Sequence, residues 1–242
     1  MRICHSRKVK TGPLTYGRPP SFPDPRPPAN ASAHIARPMP LSFRIAGVDV
    51  SLGGAPHAAQ VSALSTSSRA ASIGPYPSVG QAATASPPGY RINTLSRVIG
   101  TGTHAWRKAA KALETADALE TPWVRFWRQG HALRWAKGDV VVVVARVLPF
   151  VWTSNVNKVV AVQRRRRSLS VAWGTTSRHV LRGEEVVSVS KKENGDVVFD
   201  LRSFLRPHAF MAWLSYPLVM YLQAAFARDV CRQLAEAAND SS

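Results

Sequence analysis

The chain has 242 residues, 45% of them hydrophobic, with a formal net charge of +18 and a pI near 11.1. Its length and apolar content suffice to bury a core, while two distant cysteines, Cys4 and Cys231, exclude a disulfide framework and any CxxC zinc signature. The basic balance favours anionic partners, such as acidic lipid headgroups, nucleic acid or acidic proteins, and is silent on fold.

Residues 1–10, MRICHSRKVK, lack the apolar run of a secretory signal. Their basic character, with Asp24 as the first acid, is the pattern of an organellar transit segment. Pro, Ala and Ser then dominate from Pro19 to Pro75. The prolines of PPSFPDPRPPANASAH remove backbone donors that a helix interior or central strand requires, and QVSALSTSSRAASIG is low in complexity. Residues 1–72 are therefore expected as a mostly disordered extension or insertion, and 73–242 as the folded domain.

Within that domain, Pro87-Pro88-Gly89 is turn chemistry and Tyr90 to Val98 reads as a first strand. Gly100-Thr101-Gly102-Thr103 precedes a helix in which Trp106, Ala109, Ala110 and Leu113 recur at helical spacing, with Thr103 as the expected N-cap. A tryptophan-rich stretch (Trp123, Trp127, Trp135) leads into Val140 to Leu148, whose five successive valines predict a strand covered on both faces. Val156 to Gln163 and Ser168 to Thr175 read as the next strands, joined by Arg164 to Arg167. Glu184 to Ser190 and Val197 to Phe204 form a hairpin, for which Asn194-Gly195 suggests a type I′ turn.

The last element is a helix from about Tyr216 to Ala238. Val219, Leu222, Phe226, Val230 and Leu234 mark its apolar face, and Pro217 suits its first turn. Two apolar runs, Val140 to Trp152 and Phe210 to Phe226, are interrupted short of the roughly 20 residues a membrane span needs. A soluble, intracellular chain is expected, with a single helix, then antiparallel strands, then a long C-terminal helix.

A set of short motifs follows this order: Tyr76-Pro77 with Val79-Gly80, Pro88-Gly89-Tyr90, Ile99-Gly100-Thr101-Gly102, Ala112-Leu113, Leu148-Pro149, Gly174-Thr175, His179, Gly183-Glu184-Glu185, Ser203-Phe204, Pro207, and Tyr216-Pro217 with Gln223. Together they resemble the domain of unknown function 1990 family over about two thirds of the chain, and Leu14 to Pro20 resembles the start of plant members. Leu205 stands where the family has a small residue or serine, and Glu114 to Thr121 replaces a tryptophan. The resemblance implies no established reaction. It implies an α+β helix-grip, START-like fold, a curved antiparallel β-sheet packed around the long C-terminal helix. Such folds often hold apolar ligands between sheet and helix.

His179 with Glu184 and Glu185 is the candidate catalytic set, because an imidazole titrating near neutrality next to a carboxylate suits proton transfer. The alternative is that the glutamates begin a strand and face opposite sides. Gly100 and Gly102 suit a tight entry turn and lack the full phosphate-binding fingerprints. Neither a nucleophile elbow nor histidine spacing for a metal is present, His131 and His208 included, so no cofactor is expected. Trp173, Thr175, His179, Glu185, Phe204 and Trp213 are the candidate ligand-binding residues. Arg164, Arg165, Arg166 and Arg167, with Arg125, Arg128, Arg134 and Lys137, are the candidate basic face for an anionic surface. Expected first is non-enzymatic binding of an apolar or amphipathic small molecule. The alternatives are a hydrolase or isomerase using His179 with Glu184 or Glu185, and a basic adaptor for an anionic membrane surface or, less favoured, nucleic acid.

Overall fold

The computed structural model describes residues 40–45, 47–128, 134–208 and 213–240. Cys4, Leu14 to Pro20, His131 and Phe210 lie outside them. In chain order the elements are β1 (Leu41–Ile45), β2 (Val48–Leu52), α1 (Ala58–Ser67), β3 (Arg91–Thr101), α2 (Gly102–Thr115), β4 (Val124–Arg128), β5 (Val140–Leu148), β6 (Val151–Arg165), β7 (Ser168–Thr175), β8 (Leu181–Lys191), β9 (Asp196–Pro207) and α3 (Tyr216–Asn239).

The nine strands form one curved antiparallel sheet, in which seven run in the order β4-β5-β6-β7-β8-β9-β3, so the first strand of the domain closes beside the last, and β1-β2 add to β6. Register shifts in β3, β5 and β6 bend it. α2 and α3 pack on the inner face, where Leu113, Val141, Trp135, Val171, Val187, Phe199, Val230 and Leu234 share one core. The expected arrangement, a curved sheet around a long C-terminal helix, is the one present.

Part of the segment expected to be disordered is ordered. β1 and β2 form a hairpin, and β2 pairs with β6 from Asp49↔Ser154 to Leu52↔Val151, using the edge of β6 that β7 occupies further along. α1 then lays Val61 and Leu64 against Val140, Val142, Val144 and Trp152. The reason is burial: the valine run needs cover on its outer face, and α1 supplies it. The stretch from Ile73 to Tyr90 covers the outer face further along, through Tyr76, Ala82 and Tyr90.

Three local expectations are corrected. α2 starts at Gly102, with Thr101 at the N-cap position and no side-chain cap; the Thr103 hydroxyl instead accepts a hydrogen bond from Lys191 Nζ at 2.6 Å. The β8–β9 connection is not type I′, because only Gly195 (φ +93°) is left-handed, not Asn194. The Gly195 amide donates to Lys192 O and the Lys192 amide to Asp196 O, a three-residue loop ending in a left-handed glycine. Finally, β6 begins at Val151, five residues before the apolar run that announces it.

Candidate ligand cavity

Between the sheet and the N-terminal half of α3 lies a cavity of about 170 Å³. Trp123, Phe126, Val143, Trp173, Leu222 and Phe226 supply its apolar walls. Its polar groups come mainly from the sheet. The pleat of β6 turns Thr153, Asn155 and Asn157 inward at alternate positions, while Thr175, His179, Glu185 and Gln223 complete the lining.

Glu184 and Glu185 show what one step along a strand does. Glu184 pairs in register with Phe204 and faces outward, fully buried. Its Oε1 accepts hydrogen bonds from the Gly80 amide at 2.6 Å and the Tyr76 hydroxyl at 3.1 Å. Burial pushes its carboxyl pKa up, against the pull of those two donors. Gly174 is a glycine because a Cβ there would lie 1.9 Å from the Tyr76 hydroxyl oxygen. Gly183 adopts φ +136°, and a Cβ on it would sit 1.9 Å from Phe204 O. These residues, prominent in the motif set, form a lock between the outer segment and the sheet.

Glu185 faces the cavity, between Trp173 on β7 and Ser203 on β9. It has neither a hydrogen bond nor an ion pair among the described residues. It is half-buried, open only toward the cavity, and the desolvation by the surrounding protein pushes its pKa up to about 7. Elsewhere on the same lining, Asn155 Nδ2 donates to Thr153 Oγ1 at 3.0 Å, leaving Asn155 Oδ1 buried without a partner. Ser203 Oγ is likewise buried and unpaired.

His179 lines the same cavity, but Nδ1 accepts the Leu181 amide hydrogen at 2.9 Å, which assigns its proton to Nε2. Burial lowers its pKa to about 3, so the ring is neutral across the physiological range. With its basic nitrogen occupied, it is poorly suited to act as a general base. The proposed pairing of His179 with Glu184 fails because the pleat puts Glu184 on the other face of the sheet.

The cavity thus collects four of the six expected ligand-binding residues: Trp173, Thr175, His179 and Glu185. Thr175 has a second task, accepting the Gly183 amide hydrogen at 3.1 Å. Phe204 is elsewhere: it packs edge-on against Tyr76 and Tyr90 on the outer face, because inward positions on β9 fall to Ser203 and Leu205. Trp213 is 61% exposed ahead of α3, beside Tyr216, and does not line the cavity. Thr153, Asn155, Asn157 and Gln223 were not anticipated. The polar alternation Thr153-x-Asn155-x-Asn157 between apolar runs is the signal that a strand turns polar groups inward there.

The two ends of the sheet differ. Where β6 and β8 begin, the cavity lining includes Val147, Val180 and Leu181, and Leu148 and Phe150 are exposed in the adjoining turn. Where β6 and β8 end, Arg165, Arg166 and Arg167 are exposed, the Lys191 amide donates to Arg167 O, and Lys192 is exposed beside them. Arg164 is not available in the same way: it pairs with Glu114 at 2.6 Å and donates to Trp135 O. Trp123 and Trp135 are buried and offer no aromatic platform beside this charge. Arg128 stacks 4.2 Å from the Trp135 ring centroid, and Arg125 pairs with Glu120.

No helix of the described residues is long and apolar enough to cross a membrane, and no cluster among them has the makings of a metal site. The curved sheet, the closing helix and the cavity between them define a helix-grip protein. The chain belongs to the family described as Domain of unknown function (DUF1990), which it matches over residues 75–233. It is 31% identical to a UPF0548 protein of Arabidopsis thaliana over 58% of this chain and 69% of that relative. A UPF0548 protein of Dictyostelium discoideum is 25% identical over 61% of this chain and 73% of its own length. Among solved structures, a hypothetical protein of Helicobacter pylori matches at 14% identity and a TM-score of 0.42, over 60% of this chain and 88% of that one.

Proposed function

We propose that this protein binds an apolar or amphipathic small molecule between the sheet and α3 without transforming it. The observation that carries the reading is the cavity itself, with aromatic and aliphatic walls and a few polar groups on one side. That composition excludes water from an apolar body while orienting a polar end. An engineered apolar cavity of about 150 Å³ accepts benzene, so this one suits a ligand portion of ring size or somewhat larger. The test is native against denaturing mass spectrometry of the full chain purified from cells. A reproducible non-covalent extra mass supports the reading, and it should vanish on substituting Leu222→Trp, which fills the cavity. A retained mass in that variant places the ligand elsewhere and removes the reading.

A second reading rests on the basic end of the sheet. Arg165, Arg166 and Arg167 with Lys191 and Lys192 form a concentrated cationic tip, suited to an anionic membrane surface through screened electrostatics. Vesicles containing anionic lipid should bind in low salt and release in high salt, and Arg165, Arg166 and Arg167 replaced together by Gln should abolish this. Binding that ignores salt or survives the replacement counts against it.

A further inference from the structure

Resting on the cavity reading, we infer that the ligand's polar end is a basic nitrogen, and that the cavity discriminates against carboxylates and phosphates. The inference comes from the inventory of the lining. Among the described residues no Lys or Arg lines the cavity, although the chain has 32 such residues. An anionic ligand would enter without a countercharge and would meet Glu185, a carboxyl with no partner of its own among the described residues. Desolvating two like charges together is strongly unfavourable.

A protonated amine reverses each of these terms. It supplies the missing countercharge to Glu185 and a donor to an acceptor. Asn155 Oδ1, buried and without a hydrogen bond, is the second acceptor on the same inward face. The walls are also compatible with a cation: Trp123, Phe126, Trp173 and Phe226 line the cavity, and aromatic rings attract positive charge at their faces. Among the described residues His179 is the only other titratable group on the lining, and it is neutral with Nδ1 occupied, so it neither repels an amine nor compensates an anion.

Chain-wide charge would attract anions to the surface, so discrimination has to occur inside. Benzylamine, benzyl alcohol and benzoate share one ring of suitable size and differ in the charge of the attached group. Titrating each into the full chain at pH 8, with tryptophan fluorescence and calorimetry as readouts, tests the inference. Benzylamine should bind at least about tenfold more tightly than benzyl alcohol, since its ammonium forms an ion pair with the Glu185 carboxylate where the alcohol offers only a neutral donor. Benzoate should bind least. Glu185→Gln, which keeps the shape and removes the charge, should abolish the preference for benzylamine over benzyl alcohol.

If benzoate binds as well as benzylamine, or the amine preference survives Glu185→Gln, the inference falls while the cavity reading stands. If none of the three binds, the cavity reading falls and takes the inference with it. Should Glu185→Gln fail to fold, the ranking of the three compounds on the unaltered protein still decides.

Discussion

The Tyr76 hydroxyl donates to Glu184 Oε1 over 3.1 Å, joining two residues 108 positions apart and tying the segment before β3 to the middle of the sheet. Glu184 is fully buried, and the Gly80 amide depends on the same oxygen. Removing the hydroxyl with Tyr76→Phe should cost about 1–2 kcal/mol, because it takes one donor from a buried carboxyl. Glu184→Ala should cost about 3–4 kcal/mol, since it orphans both donors and leaves a void. Urea denaturation of the two single variants and the double variant measures this. If the losses simply add, the two residues do not act as a pair.

Glu185 sets a pH dependence of stability whose sign is fixed. Its pKa is about 7 when folded, against an ordinary 4.5. Between those values the unfolded chain releases a proton that the folded chain retains, so this group's contribution is fully present below about pH 4.5 and is lost as pH rises through 7. Discounted for access through the cavity, the loss should be about 2 kcal/mol. Glu185→Gln should flatten that part of the profile and be the more stable protein at pH 8. Parallel profiles for the two proteins would show that the carboxyl is better solvated than its surroundings imply.

Ala145 lines the cavity, so Ala145→Leu should reduce ligand retention at least about tenfold while leaving the melting temperature within a few degrees. The check pairs a thermal melt with native mass spectrometry. Undiminished ligand retention in a folded variant would move the site away from this part of the wall.

α1 should be structural, since Val61 and Leu64 are nearly fully buried against the valine run of β5. Replacing both with Ala should destabilise by about 3–5 kcal/mol, and replacing both with Asp should expose the valines and raise binding of a hydrophobic dye. A double Ala variant as stable as the parent would mean that α1 is dispensable cover.

Legibility followed the range of the forces involved. The five valines of β5, the helical spacing of Trp106, Ala109 and Leu113, and the apolar stripe of α3 announce their elements because local periodicity and side-chain shape suffice. The ordered motifs from Tyr76 to Gln223 carried the family and, with it, the helix-grip arrangement. The Asn-Gly dipeptide located the β8–β9 turn but not its type, because Asn194 is not left-handed in the loop that forms.

What the sequence by itself determined was the succession of elements, the demand that β5 be covered twice, and the candidacy of Thr175, His179 and Glu185. Tertiary structure alone decided which neighbour met each demand. The same low-complexity stretch that reads as linker becomes α1 because an apolar sheet face stands ready to bury Val61 and Leu64. Phe204 and Glu185 look equally eligible for a cavity until strand register assigns one to each face. Side chains alternate along a strand by fixed geometry, but which parity faces inward is set by partners far away in the chain, and that is where Glu184 becomes a lock and Glu185 an unpaired acid in the cavity.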